Sequence, residues 1–461
     1  MHASRVILMI TLLAMPSVSL RSAPDPEVSA DLPLPEEVFP ELKDILWQAL
    51  AQSPRMITRN FELIEATHEL GATRARQYPR AGGFGMYFYQ RDDRVDRPEP
   101  SLGEKFYYDV RVTQPVFHWG ALKDETERAR IQAKIEEADY LEAYRLLALS
   151  VRRQYLGLIV RKAVRVRAQA AFDRQVRRVE MQKVRVASGE APSSVLQPEE
   201  LVLRERQVDL ERATYDFENA LRTFRRTTGV SDFGAERVPG EVPKIEVGGE
   251  EAVLDLRRNF VEKGDLQEAF RLRKALFSLQ REQLREKITR RDLWPKFDFQ
   301  AGLTQNEISY TENIGDRVGV TSLFAGLRVT WNIFDSRATR ERMLASRARQ
   351  RRLEQEIRNL EQELRDEALA AADELRIFGM AMRNADQRLV MQVSGRKMAE
   401  ENFNRGLATE EHVAAAAYSE QVARVNAFIG RSSYLEGVAN FLSAVNADPI
   451  VLEVMPKILN R

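Results

Sequence analysis

Few side chains in this sequence form a pattern that could do chemistry. The chain has four histidines, and His68, His118 and His412 have no neighbours with the spacing of metal ligands. Cysteine is absent, which excludes thiol catalysis, cysteine-based zinc sites and disulfides. No glycine-rich phosphate loop, nucleophile elbow or paired-carboxylate motif occurs. We therefore expect no catalytic residues, no metal and no cofactor, and the sequence indicates a protein that is not an enzyme.

Charge is abundant but evenly mixed. The 461 residues include 70 basic and 69 acidic side chains, with a formal net charge of +1. A nucleic-acid groove would need a basic patch or stripe, which this sequence lacks. Charged residues make up 30% of the chain and the mean hydropathy is −0.41. These values are typical of long solvated helices and exclude a polytopic helical membrane protein.

The N-terminus has the pattern of a secretory signal peptide over residues 1–23. Arg5 is followed by the apolar run Val6–Met15 and then by the small-residue stretch Ser17–Ala23. The alternative, a membrane anchor, is disfavoured because ten apolar residues fall short of the roughly 20 that cross a bilayer as a helix. A proline-rich segment, 24–40, follows.

The rest of the sequence contains an internal repeat. Four residues near position 111 recur 217 positions later, and the same offset carries Gly189 onto Gly406. The recurring residues are Arg111, Val112, Thr113 and Phe117 in the first copy and Arg328, Val329, Thr330 and Phe334 in the second. We therefore expect a tandem duplication, with repeats at 41–230 and 251–446, a linker at 231–250 and a C-terminal tail at 447–461.

Each repeat is predicted to contain the same order of elements: a helix, two strands, a very long helix, a glycine turn and a return helix. In the first repeat the strands are 82–90 and 105–117, the long helix 121–188 and the return helix 192–228. In the second repeat an opening helix spans about 254–293, the strands are 296–305 and 322–334, the long helix is 337–405 and the return helix 408–446.

The long helices and the strands have different periodicities. At a rise of 1.5 Å per residue each long helix would be roughly 100 Å long, and its apolar residues have the spacing of a coiled coil. The strands alternate apolar and polar residues over about ten positions, as a transmembrane β-barrel requires. Arg111 and Arg328 lie on the polar faces and are predicted to line a barrel lumen, because charge facing lipid is costly. The alternative is the edge of an ordinary β-sandwich. Segment 82–90 is aromatic on both faces, so its pattern does not assign a lipid-facing side.

Four strands cannot close a barrel, and open sheet edges are not tolerated in hydrocarbon. Other copies of the chain would have to complete the cylinder. The smallest membrane barrels have about eight strands, so two copies with about eight strands or three copies with about twelve are both possible.

The order of these elements, together with several short motifs, resembles the TolC-like outer membrane efflux protein family. The resemblance covers roughly residues 40–446. The motifs are the strand ends Thr113–Gly120 and Thr330–Asp335, the turn Asn402–Thr409 and its first-repeat counterpart Met181–Ser188.

The resemblance implies a fold, a location and a set of partners. The fold is an α+β membrane protein: a tandem-repeat α-barrel of long coiled-coil helices, plus four strands per protomer that contribute to a 12-stranded transmembrane β-barrel in a homotrimer. The location is the outer membrane of a Gram-negative-type bacterium, extending into the periplasm. The partners are a periplasmic adaptor protein and an inner-membrane transporter, and the function is that of the outer-membrane duct in a tripartite efflux or type I secretion system. The residues implied to form the adaptor-contacting tip are Gly189, Ser193, Gly406, Leu407 and Thr409.

The pore entrance departs from the family pattern. Family members often place carboxylates six and nine residues after the second tip glycine, where this sequence has His412 and Ala415. Glu410 and Glu411 lie next to His412 and are candidates to supply the missing charge. The alternative is that both are ordinary first-turn acids that suit the dipole of the return helix.

A second function class stays open from the sequence alone: a soluble periplasmic coiled-coil adaptor or scaffold whose strands form a small sheet. Two predicted strand pairs, separated by polar loops at 91–104 and 305–321, favour the duct. An adaptor would instead carry one helical hairpin between halves of a compact β domain.

Overall fold

A computed structural model describes residues 32–92, 101–262, 265–309 and 317–459 of the chain. The predicted signal peptide, 1–23, and the first part of the segment 24–40 lie outside the described residues.

The first repeat opens with three helices, followed by two strands and two long helices. The helices are α1 (Pro35–Val38), α2 (Pro40–Gln52) and α3 (Pro54–Ala75), and the strands are β1 (Arg80–Asp92) and β2 (Ser101–Phe117). The long helix α4 (Ala121–Ala187) and the return helix α5 (Leu196–Thr228) follow, with a 3-10 turn at Ser193–Val195 between them.

The second repeat has the same order. Its elements are α6 (Glu250–Glu262), a 3-10 turn at Asp265–Glu268, α7 (Phe270–Arg290), β3 (Lys296–Ser309), β4 (Arg317–Thr330), α8 (Ala338–Asn404), α9 (Glu410–Ala444) and α10 (Pro449–Leu459). The opening helix, predicted as one span over about 254–293, is two helices. The predicted tail 447–461 contains α10, whose Ile450, Val451 and Val454 are buried.

Helices α4 and α8 are 67 residues long and contain no proline. At 1.5 Å per residue each is about 100 Å long. The heptad-spaced residues of α4 from Leu141 to Leu158 are buried, and α4 packs against α3, α5, α7 and α9. Since a helix of this length buries only a narrow stripe, its neighbours along the whole length hold it in place.

The four strands form one antiparallel sheet in the order β1-β2-β3-β4. The two hairpins have equivalent registers: Arg80 lies opposite Thr113 in the first, and Lys296 opposite Thr330 in the second. β1 and β4 are the outer strands of this sheet, and among the described residues neither has a strand along its second side.

The strand bounds differ from those predicted. All four strands extend farther from the helices than expected, with β4 beginning at Arg317 and not at 322. At its helical end β4 stops at Thr330 and not at Phe334. The cause is the position of β3: it begins at Lys296, which is opposite Thr330. Among the described residues, no strand lies opposite 331–334, so this segment cannot form ladder hydrogen bonds within the chain.

No single described helix is both long and apolar enough to cross a membrane, whereas α9 together with Pro449–Pro456, bent by 40°, passes the same test of length and composition.

Both described ends of the chain meet at the middle of α4, on one buried arginine. The Arg152 side chain is 1% exposed and contacts Glu36 of α1 and Asp448, just before α10. Its Nε donates to Glu36 Oε2 at 2.9 Å, and its Nη1 and Nη2 donate to the two oxygens of Asp448 at 2.5 and 3.0 Å. Burial alone would lower the pKa of Arg152, but the two carboxylates raise it above its usual value. The guanidinium therefore stays charged and joins three segments that are far apart in sequence.

Replacing Arg152 with Ala is expected to destabilise the fold by about 3–5 kcal/mol, because it leaves two carboxylates buried without a cation. The measurement is the free energy of unfolding by denaturant, in detergent. The matched control is the next residue: Arg153 pairs with Glu436 at an exposed position, so Arg153→Ala should cost at most about 1 kcal/mol. Equal losses for the two variants would contradict this assignment.

Candidate functional site

The sheet has two chemically distinct faces, which the strand register defines. One, the charged face, carries Arg80, Asp109, Arg111, Asp298, Gln300 and Arg328. The other, the apolar face, carries Tyr87, Val110, Val112, Phe299, Leu323, Leu327 and Val329. Leu323 is 86% exposed and Leu327 68% exposed. Large apolar side chains on an open sheet face indicate a surface that contacts something other than water.

The register also assigns the two sides of β1, which the sequence pattern left open. Phe84 lies opposite Asp109, and Tyr87 lies opposite Phe106. Because directly opposite residues share a face of the sheet, Phe84 lies on the charged face and Tyr87 on the apolar face. Alternation then places Met86 and Phe88 with Phe84, and Tyr89 with Tyr87.

Arg111 sits in a small polar and aromatic cluster on the charged face. Its Nη2 donates to Asp109 Oδ2 at 2.8 Å, and its guanidinium lies 5.6 Å from the centre of the Phe324 ring. Gly302 lies between their strands, and a Cβ there would meet Val110 O at 2.6 Å and Phe324 Cζ at 2.8 Å. The missing side chain lets the Phe324 ring lie across the strand towards Arg111. Arg328 lies on the same face, opposite Asp298.

An aromatic cluster marks the junction between the sheet and the helices. The Trp119 ring is 4.7 Å from Phe117 and 5.0 Å from Trp294. Two indoles donate to backbone carbonyls, Trp119 to Pro295 O at 2.7 Å and Trp331 to Leu293 O at 3.0 Å. An apolar ring with a satisfied polar tip is typical of a membrane interface.

His118 lies at the same junction, where its Nε2 is 2.8 Å from Asp298 Oδ1. Among the described residues, no group of three or more His, Asp or Glu side chains is placed to hold a metal ion.

Both long helices end in the same glycine turn. Gly189 and Gly406 have φ of +77° and +76°, a left-handed conformation that glycine adopts without steric cost. The residue after each glycine donates back to the last turn of the helix, Glu190 to Arg185 O at 2.9 Å and Leu407 to Asn402 O at 2.8 Å. This is the Schellman pattern of helix termination.

The residues predicted to form the tip lie around these turns. Ser193 begins the 3-10 turn before α5, and Leu407 is exposed. Thr409 is the N-cap of α9, where its side chain accepts from His412 N at 3.4 Å. Glu410 and Glu411 form the first turn of α9, where carboxylates suit the helix dipole.

The two repeats contact each other near the glycine turns, on the side of the sheet. Arg178 of α4 lies 3.1 Å from Glu199 of α5 and 3.6 Å from Glu411 of α9. One turn farther from the tip, the Arg174 guanidinium lies 4.1 Å from the centre of the Tyr418 ring. Sequence reasoning missed both arginines, since they look like any other charged position on a long solvated helix. Glu411 therefore already has a cationic partner.

Comparison with known proteins agrees with this architecture. Residues 45–230, almost the whole first repeat, match the outer membrane efflux protein family. The fold is similar to the CmeC outer membrane channel of Campylobacter jejuni, with a TM-score of 0.67, 15% identity, and coverage of 88% of this chain and 86% of that chain. No curated protein sequence matches the chain.

Two further solved structures have the same fold. They are the outer membrane protein VceC of Vibrio cholerae, with a TM-score of 0.63, 14% identity and coverage of 88% and 96%, and the MtrE outer membrane channel of Neisseria gonorrhoeae, with a TM-score of 0.62, 15% identity and coverage of 88% and 89%. The fold is therefore that of outer membrane channels. The resemblance to TolC-like outer membrane efflux proteins is confirmed, as is an α+β chain of long helices with one four-stranded antiparallel sheet.

Replacing Gly406 with Val should destabilise the turn between α8 and α9, because a left-handed conformation costs an L-residue roughly 1–2 kcal/mol and a β-branched side chain worsens the strain. We expect faster limited proteolysis at this turn. The matched control is Gly406→Asn, since asparagine tolerates this conformation. Equal cleavage rates for the valine variant and the unmodified protein would contradict a conformational role for Gly406.

Proposed function

We propose that this chain is the outer-membrane channel component of a tripartite efflux or type I secretion system. Three copies form one duct across the outer membrane and the periplasm. The observation that carries the proposal is the sheet, whose apolar face is exposed. Each of its two outer strands has a strand on one side only among the described residues, and the sheet is continuous with helices about 100 Å long. In water, a sheet with an exposed apolar face and two open edges would associate with other chains or with a membrane.

The dimensions of the apolar face fit an outer membrane. On β2 this face runs from Phe106 to Phe117, both exposed aromatic residues. Eleven steps of about 3.3 Å give roughly 36 Å along the strand. At the tilt of 35–45° that barrel strands adopt, the height is about 25–30 Å, close to the apolar band of roughly 25 Å in outer-membrane barrels. The tryptophan junction at the helical end then lies at the interface.

The charged face lines the lumen in this arrangement. Turned towards lipid, Arg111 and Arg328 would each cost about 2–4 kcal/mol at the bilayer midplane. Turned inward, they face water. Three copies give twelve strands, which is enough for an aqueous lumen, whereas eight strands are filled by their own side chains.

The helical tips face the inner membrane. At the tip, Gly189, Ser193, Gly406, Leu407 and Thr409 contact a periplasmic adaptor protein, which connects the duct to an inner-membrane transporter. The pore entrance is formed near Glu410, Glu411 and His412 at the start of α9. Arg178 lies 3.6 Å from Glu411 and 3.1 Å from Glu199, so one cation is shared by two carboxylates. The acidic charge at this position is therefore reduced but not cancelled. Substrates pass through the duct chemically unchanged, and the chain has no enzymatic role.

The second candidate, a soluble periplasmic coiled-coil adaptor or scaffold, leaves the apolar face without a partner. The hairpins face water on that side, with residues as exposed as Leu323 and Leu327. Membrane fractionation separates the two functions. The duct is recovered with the outer membrane and needs detergent for extraction. Recovery of the mature protein in the soluble periplasmic fraction after mild lysis would rule the duct out.

Arg111→Leu should leave membrane insertion intact and change the single-channel conductance in planar bilayers, because it removes a lumen charge and frees Asp109. A lower anion current is the expected direction. The matched control is the adjacent Val112→Leu, on the apolar face, which should leave conductance unchanged. Unaltered conductance of the Arg111 variant would show that this side chain does not line the pore.

A further inference from the structure

The segment 331–334 has the sequence of a strand, but among the described residues no strand lies beside it. It follows β4 directly, and its apolar side chains are open to solvent, with Ile333 73% and Phe334 77% exposed. The described part of the chain offers it no ladder partner, because β3 begins opposite Thr330. The question is which strand pairs with this segment.

The internal repeat provides an equivalent strand pairing from which the partner of this segment can be inferred. β2 corresponds to β4 at an offset of 217, since Thr113 and Thr330 occupy the same place. β1 corresponds to β3 at an offset of 216, since Arg80 lies opposite Thr113 as Lys296 lies opposite Thr330. The backbone after the strands repeats as well: Trp119 and Gly120 have positive φ, as do Ser336 and Arg337 217 positions later.

The seam between the two repeats inside the chain is the pairing of β2 with β3. Here β2 does not stop at Thr113: it continues to Phe117, which lies opposite Phe297 after an irregularity at Pro115. The segment of β2 equivalent to 331–334 is therefore a strand because β3 lies beside it. The equivalent segment after β4, 331–334, has no such neighbour among the described residues.

We propose that β4 of one copy pairs with β1 of a second copy in the register that β2 and β3 use within the chain. The inference rests on the proposed duct and deepens it by fixing the contact between copies. In β2 and β3, Val110 lies opposite Leu303. Applying the two offsets places Leu327 of one copy opposite Tyr87 of its neighbour. Segment 331–334 then becomes a strand that pairs near residues 81–83 of that neighbour.

The two faces of the sheet provide an independent check. A register shifted by one residue would turn every side chain to the opposite face. In the proposed register Leu327 and Tyr87 both lie on the apolar face, and Arg328 and Met86 both lie on the charged face. Side chains of the apolar face therefore meet one another across the contact between copies, and so do side chains of the opposite face.

The proposed pairing between copies differs from the pairing of β2 with β3 at several positions, and one of them concerns the arginines on the charged face. Within the chain, Gly302 leaves room for Phe324 to reach towards Arg111. In the seam between copies Met86 takes the place of Gly302, so its side chain fills that space. Arg328 cannot repeat the arrangement of Arg111 and remains directed at the lumen.

Disulfide trapping tests the register directly, because the chain contains no cysteine. Leu327→Cys and Tyr87→Cys are introduced together, and the protein is oxidised with diamide in outer membranes. Directly opposite residues in antiparallel strands have Cα atoms about 4.5–5.5 Å apart, within the 4.4–6.8 Å that a disulfide needs. We expect covalent multiples of the chain, up to three, on a non-reducing denaturing gel.

Two matched controls accompany this variant. Val110→Cys with Leu303→Cys is its equivalent within the chain and should form a disulfide without covalent multiples. Leu327→Cys with Gly83→Cys moves one partner four residues along the same face, about 13 Å, and should not cross-link.

The outcomes separate the register from the duct. A trimer in which Leu327→Cys fails to cross-link to Tyr87→Cys, while the control disulfide within the chain forms, would overturn the register and leave the assembly intact. Cross-linking of Leu327→Cys with Gly83→Cys would then identify a register shifted by four residues. An absence of cross-links in either pair, in a protein that detergent-free size measurement shows to be a monomer in water, would overturn both the register and the duct.

Discussion

The backbone of a sheet needs a partner on both sides of every strand, and the four strands of this chain cannot meet that requirement alone. β1 and β4 each present a row of N–H and C=O groups to a side where the described chain has no strand. In water such edges can be hydrated, but in hydrocarbon each unpaired group costs several kcal/mol. The apolar face of the same strands makes water an equally poor environment. Membrane insertion and self-association therefore depend on one constraint: the sheet is stable in lipid only when copies of the chain close it.

The long helices also need partners, which they find mostly within the chain. Each 67-residue helix has a narrow apolar stripe and needs neighbours along its length. A buried ion pair network lies halfway along α4, where Arg152 binds Glu36 and Asp448 from opposite ends of the described chain. A buried ion triad adds little net stability compared with an apolar core but is costly to leave incomplete. Its effect is to fix the positions of α1 and α10 on α4, so the packed core holds the helix at its centre while the sheet and the tip are held at its ends.

The sequence predicted the repeat, the order of elements and the two glycine turns because these depend on local signals: periodicity, glycine and proline. It did not predict Arg174 and Arg178 as tip contacts, since a charged residue on a solvated helix has the same local signal whether or not another repeat lies beside it. The face of β1 was also undetermined, because Phe84 and Tyr87 are both aromatic and only the register to β2 separates them. The strand end at Phe334 was wrong for the single chain because pairing, and not composition, decides where a strand ends.

Because the chain is a tandem repeat, each helix contact between the two repeats of one chain has an equivalent contact between copies in the proposed trimer. Near the tip, these two contacts differ in chemistry. Within the chain, Arg174 stacks on Tyr418 across the seam between α4 and α9. The residues at the equivalent positions of the other repeat are Met391 on α8 and Leu201 on α5, which are 69% and 57% exposed. In the proposed trimer they meet at the seam between copies. At this level the contact between copies is therefore apolar where the contact within the chain is cationic and aromatic. Salt screening acts on charged contacts such as Arg178 with Glu411 and has little effect on a contact between Met391 and Leu201.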